Sequence, residues 1–131
     1  GEYAMKITSF NPLIVTKDAK NVIKLFEELG FEKRHTINAT ASGNPLTSVR
    51  MKDSNGFYVD ISEVENSTLE HDLTLIRINV NDFDEAYKFL TEKGFKNTSG
   101  KTVETKTNKS AMMVSPTGFA FDLCQHIKDE K

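Results

Sequence analysis

The sequence predicts an α+β fold made of two βαβββ modules, and three observations predict it. Apolar spacing alternates between helical and strand periods in the same order in each half of the chain. The halves can be laid over each other with a shift of about 64 residues, and the residues that start and stop each helix repeat at that shift. Neither half has enough apolar surface to cover a sheet face well, so the two are expected to share a core, within one chain or across a dimer. The expected modules are residues 5–66 and 69–128, together one domain in which a mixed sheet curves into an incompletely closed cup with the helices outside.

The first helix, 18–29, places Ala19, Val22, Ile23, Leu25, Phe26 and Leu29 on one face and ends at Gly30-Phe31. Sixty-four residues on, Asp82, Phe83, Ala86, Tyr87, Phe89, Leu90 and Lys93 are followed by Gly94-Phe95, and only Leu29 to Lys93 breaks the apolar match. Asp18 and Asp82 suit the N-cap, where a carboxylate accepts from free backbone N–H groups, and Gly suits the left-handed residue past a helix end. A second correspondence, shifted by 62, matches Met51-Lys-Asp-Ser-Asn-Gly-Phe-Tyr-Val-Asp-Ile61 with Met113-Val-Ser-Pro-Thr-Gly-Phe-Ala-Phe-Asp-Leu123. Both read as strand, turn, strand, with Asn55-Gly56 and Thr117-Gly118 in the turns. The remaining strands fall at 13–16, 31–37, 46–51 and 57–64, then 73–80, 95–103, 110–114 and 119–127. Residues 65–72 read as a linker, and residues 39–45 and 98–110 as loops over the cup.

Composition excludes several classes. Seventeen basic and nineteen acidic residues give a net charge of -2, spread evenly over both halves. The densest basic cluster, Lys101, Lys106 and Lys109, reads as a solvated loop, so nucleic acid is not an expected partner. A single cysteine, Cys124, cannot form an intramolecular disulfide. No apolar stretch approaches the ~20 residues of a membrane helix and no leader is evident, so the reading is a cytoplasmic protein with no membrane partner. Met5 reads as a natural start, which sets Gly1–Ala4 aside from the functional argument.

Strand alternation points Phe57, Val59 and Ile61, and Phe119, Phe121 and Leu123, toward the helices. The opposite face then carries Tyr58, Asp60 and Ser62, and Ala120, Asp122, Cys124 and His126. In the strand at 73–80, Leu75, Arg77 and Asn79 share that second face, and the repeat puts Phe10, Pro12 and Ile14 in the equivalent places. The second faces are expected to enclose one concavity.

Val15-Thr-Lys-Asp before an amphipathic helix, Leu29-Gly30-Phe31, Gly56-Phe-Tyr-Val-Asp-Ile61, Val80-Asn-Asp, Lys93-Gly94-Phe95 and Ser115-Pro-Thr-Gly-Phe-Ala-Phe-Asp-Leu123 resemble the vicinal oxygen chelate superfamily, the glyoxalase, bleomycin-resistance and extradiol-dioxygenase group. The resemblance covers nearly the whole chain and implies a glyoxalase-like fold and a homodimer. Metal-dependent members place a His in each module's first strand and a Glu near the end of its last. Carried over, the acids fall at Asp60 and Asp122 and the imidazoles at Phe10 and Leu75, or at Asn11 if the first strand slips by one. Neither Phe nor Leu can ligate a metal, and Asp is shorter than Glu, so no metal and no other cofactor is expected.

Asp60 and Asp122 interrupt apolar strands and need charge partners, for which Arg77 and Arg50 are the candidates. Phe10, Leu75 and Tyr58 would line the cup. The ligand-binding set is therefore Asp60, Asp122, Arg77, Arg50, Tyr58, Phe10 and Leu75, with no catalytic residue. Against it stands simple mutual satisfaction of acid and base. A carboxylate beside Cys124 opposes thiolate chemistry, and His35 and His126 read as rim residues. The functional expectation is metal-free binding of a small organic ligand. The alternatives are a metal-dependent lyase or isomerase of the lactoylglutathione lyase type, and a non-catalytic dimeric scaffold.

Overall fold

Helix and hairpin punctuation repeats in the computed structural model, which describes residues 5–41 and 43–126. The elements are β1 (Ile7–Val15), α1 (Ala19–Glu28), β2 (Glu32–Ala41), β3 (Asn44–Lys52), β4 (Tyr58–Val64), β5 (Leu73–Val80), α2 (Phe83–Glu92), β6 (Lys96–Asn97), β7 (Val103–Glu104), β8 (Asn108–Val114) and β9 (Ala120–His126). The content is α+β, as the periodicity predicts. No helix among the described residues is long and apolar enough to cross a membrane.

Each helix is fixed at both ends by the residues that recur. Asp18 accepts from the Asn21 N–H, and Asp82 from the Glu85 N–H. A second acceptor comes from the last strand: the Ala19 N–H donates to Glu63 Oε1 and the Phe83 N–H to Gln125 Oε1, tying each helix start to the sheet beneath it. At the other end the Gly30 N–H reaches the Glu27 carbonyl and the Phe31 N–H the Phe26 carbonyl; Gly94 and Phe95 do the same to Thr91 and Leu90. This double bond pattern needs a left-handed residue, which Gly30 (φ 103°) and Gly94 (φ 94°) supply.

The chain divides into two compact units, Asn11–Leu75, and Ile76 onward together with the opening residues as far as Phe10. In the first, the sheet order is β2, β3, β4 and then the second half of β1, which runs parallel to β4. Its core packs Ile23 against Val49, Met51, Val59 and Ile61, with Ile14, Ala19, Val22, Phe26 and Phe31 around them. In the second, the opening residues of β1 neighbour β5, followed by β9 and β8, with β6 and β7 both on β8. Its core joins Ile78, Val80, Phe83, Ala86, Leu90, Ala111, Met113 and Leu123.

Several expectations are corrected. Residues 39–41 and 44–45 of the expected loop are strand: β2 and β3 continue as a ladder until Ala41 pairs with Asn44, because alternating Thr and small residues let both strands pair that far. The strand expected at 95–103 is broken into β6 and β7 by a turn in which Gly100 has φ 68° and its N–H donates to the Asn97 carbonyl. Lys109 lies in β8 and holds Asp84 at 2.8 Å, so it is not part of a solvated loop. Leu25 and Leu29 leave the packed face of α1 and are exposed, as is Phe57. Phe119 is also exposed but lies edge-on to Phe95 and Phe121. The end of the strand predicted to reach 127 lies outside the described residues.

Candidate functional site

Strand pleating delivers one acid to the non-helical face of each unit. In β4, Val59 and Ile61 enter the core, so Asp60 between them points the other way; Leu123 does the same for Asp122 in β9. Both acids are buried, Asp60 to 1% exposure. A carboxylate so placed is stable only with donors around it.

In the 11–75 unit the donors are Arg50 and Asn11. Arg50 is directly opposite Asp60 in the β3–β4 ladder, so its side chain emerges on the same face. Nε donates to Oδ1 at 2.8 Å and Nη2 to Oδ2 at 2.8 Å, a two-pronged grip on both oxygens. Asn11 closes the cluster: its Nδ2 donates to Asp60 Oδ2 at 3.0 Å, and its Oδ1 accepts from Arg50 Nη2 at 3.0 Å. The guanidinium carbon and Lys52 Nζ each lie 5.2 Å from the Tyr58 ring centroid.

In the other unit Arg77 of β5 is opposite Asp122 of β9 in a parallel pairing. Its Nε and Nη2 both reach Oδ2, at 2.9 and 2.8 Å. Beyond them Asn79 Nδ2 donates to Ser9 Oγ at 2.7 Å. Cys124 is buried with its sulfur 3.7 Å from the Asp122 carbonyl oxygen.

The structure thus pairs each predicted acid with a predicted base, Asp60 with Arg50 and Asp122 with Arg77. Tyr58 lies beside Arg50, and Leu75 is half-buried two residues before Arg77 in the chain. Phe10 is the correction. The register Leu13 to Asp60 puts Asn11, Leu13 and Val15 on the acid's side of β1, while Ile14 packs in the core, so the face set of Phe10, Pro12 and Ile14 is shifted by one residue. Phe10 is 63% exposed. Sequence reasoning missed Asn11 as a member of the cluster. The signal was the alternative slip of the first strand, which a uniform shift of 64 would have selected because it matches Leu13 with Arg77. His35 is exposed, opposite Arg50 on β2, where a bulge after Lys33 turns it to that face. His126 is exposed, at the end of β9.

A divalent metal of the kind the resemblance implies needs free carboxylate or imidazole lone pairs. Asp60 has a guanidinium across both oxygens and Asn11 turns its amide N–H toward it, so these residues do not fit a metal centre. Among the described residues no three His, Cys, Asp or Glu side chains gather into a metal-holding group.

No family model matches the sequence, and no curated protein sequence does. Solved structures do match. Glyoxalase I from Zea mays aligns with a TM-score of 0.60 at 15% identity, covering 95% of this chain and 45% of that one. An uncharacterised protein from Methanosarcina mazei gives 0.58 at 16% identity over 96% and 98% of the two chains. A glyoxalase/bleomycin resistance protein/dioxygenase superfamily member from Vibrio splendidus gives 0.50 at 19%, over 92% and 99%. The chain spans about half of the maize enzyme and nearly all of the two smaller proteins.

Proposed function

We propose that this chain, which has the α+β fold of the glyoxalase/bleomycin resistance/dioxygenase structures, binds a small organic molecule without a catalytic metal. The observation that carries the reading is the two-pronged Arg50 grip on Asp60, at the position where the resemblance puts a metal-ligating acid. The positive charge a metal would bring is already there as a guanidinium, and Arg77 does the same for Asp122. On the face of the 11–75 unit this leaves a fixed arginine with Tyr58 beside it. Such a surface orients and retains a molecule, since pockets combine apolar walls with a few placed polar groups. It offers no activated nucleophile.

The test is thermal melting of chelator-treated protein across a panel of flat aromatic compounds and peptide-like antibiotics, with Ni²⁺ and Zn²⁺ as separate arms. A ligand at ~100 times its Kd adds about 2.7 kcal/mol, so a binder raises the melting temperature measurably while the metals do not. Stoichiometric uptake of Ni²⁺ or Zn²⁺ together with hemithioacetal isomerisation would overturn the reading in favour of the lyase.

A further inference from the structure

On the polar face of the 11–75 unit, opposed residues of β3 and β4 form a ladder: Ser48 against Ser62, Arg50 against Asp60, Lys52 against Tyr58. The rungs differ in what they leave over. Ser62 donates to Ser48 Oγ at 2.7 Å, and both residues are buried. Arg50 commits Nε and Nη2 to Asp60 and Asn11, but its Nη1 makes no hydrogen bond among the described residues, and 25% of the side chain is exposed. Lys52 has no carboxylate within ion-pair distance among the described residues and rests beside the Tyr58 ring.

The surrounding charges do not cancel this surplus. Glu32 stands opposite Lys52 on β2, but it is exposed and its carboxylate is 3.8 Å from Arg34 Nη2. Arg34, Arg50 and Lys52 against Glu32 and Asp60 leave one positive charge, with the exposed His35 opposite Arg50. A guanidinium locked by two partners loses little freedom when it takes a third, so its free amino group is a preorganised donor.

We infer that this ladder is a site for a small monocarboxylate with a flat apolar body, deepening the binding function proposed above and resting on it. The carboxylate sits on Arg50 Nη1 and Lys52 Nζ, and the body lies alongside Tyr58. One negative charge balances the site, whereas a phosphate dianion overshoots it, and a neutral amide brings no charge and only one acceptor oxygen.

Isothermal titration of the full chain with naphthoate, naphthamide and inorganic phosphate tests this. Naphthoate is expected to bind at least about tenfold more tightly than naphthamide, a difference of ~1.4 kcal/mol. Lys52→Met, which leaves the buried Arg50–Asp60 pair alone and so keeps the fold, is expected to weaken naphthoate about fivefold and naphthamide by less than about twofold. Tyr58→Leu should weaken both. Equal affinity for naphthoate and naphthamide would remove the carboxylate assignment while leaving metal-free binding intact. Phosphate binding more tightly than naphthoate, no naphthoate binding below about 10 mM, or naphthoate binding indifferent to Lys52→Met would also overturn it. Metal uptake with turnover would instead remove the parent reading.

Discussion

Asp60 and Asp122 hold matching places in the last strand of their modules, yet each meets its arginine on a different neighbour. Asp60 stands between Arg50 of β3 and Leu13 of β1; Asp122 stands between Met112 of β8 and Arg77 of β5. At the repeat shifts of 62 and 64, Arg50 corresponds to Met112 and Leu13 to Arg77, so base and apolar residue have changed sides. A buried acid needs a cation, but the sheet offers two neighbouring strands from which to supply it. The grip differs too: Arg50 spans both oxygens of Asp60, whereas Arg77 converges on one oxygen of Asp122.

The largest effect should come from breaking the tighter pair. Arg50→Met removes the Nε and Nη2 bonds to a carboxylate that is 1% exposed and is expected to cost about 3–5 kcal/mol in urea denaturation. Arg77→Leu should cost less, because Asp122 is slightly more open and is held at one oxygen. The comparison sharpens if the arginine is then moved: Arg77→Leu with Met112→Arg places the base as in the other module and should recover at least ~1 kcal/mol. A cost below ~1 kcal/mol for Arg50→Met, or no recovery in the double variant, would mean that the pairs are incidental to stability.

This exchange also explains which parts of the molecule were legible in the sequence. Helix caps, hairpin turns and the two acids are local features, so self-comparison of the halves found them at the right residues. Pairing is non-local. The repeat compares like with like and is blind to a base that has moved from one neighbour to the other, which is why Arg50 and Arg77 could be named but not assigned. Face and register failed at β1 for a related reason: Phe10, Asn11, Pro12 and Leu13 show no clean alternation, so a slip of one residue costs nothing in pattern and exchanges every side chain across the sheet. The long β2–β3 hairpin was hidden because Ala39-Thr-Ala-Ser-Gly-Asn-Pro45 has loop composition, although cross-strand bonds carry it as a ladder.

The helix ends provide the second contrast. Gly30 and Gly94 share the left-handed conformation, but a Cβ on Gly30 would meet nothing within 4 Å, whereas one on Gly94 would lie 2.9 Å from Pro116 Cγ. Gly30→Ala should therefore cost only the conformational penalty, about 1 kcal/mol, and Gly94→Ala about 1 kcal/mol more from the displaced proline. Equal denaturation midpoints for the two variants would show that the ring yields freely and that the two ends are energetically alike.

The smallest expected effect lies on the surface. Lys109 holds Asp84, in the first turn of α2, where the other module has Thr47 and Lys20 at the corresponding places and so has no such pair. The hydrogen bond that Lys109 donates to Asp84 Oδ1 raises the lysine pKa above its ordinary 10.5. A raised lysine contributes stability fully below the unfolded-state value and loses it as pH climbs through the folded-state value. With Asp84 82% exposed, screening keeps the contribution small, and Lys109→Gln should lower the melting temperature by no more than about 2 °C near neutral pH. That gap should stay level up to about pH 10, close as Lys109 loses its proton above it, and shrink in ~1 M salt at any pH. A gap that stays level above about pH 10 would overturn the charge account and assign the stabilisation to the packing of the lysine over the Phe83 ring, 5.1 Å away.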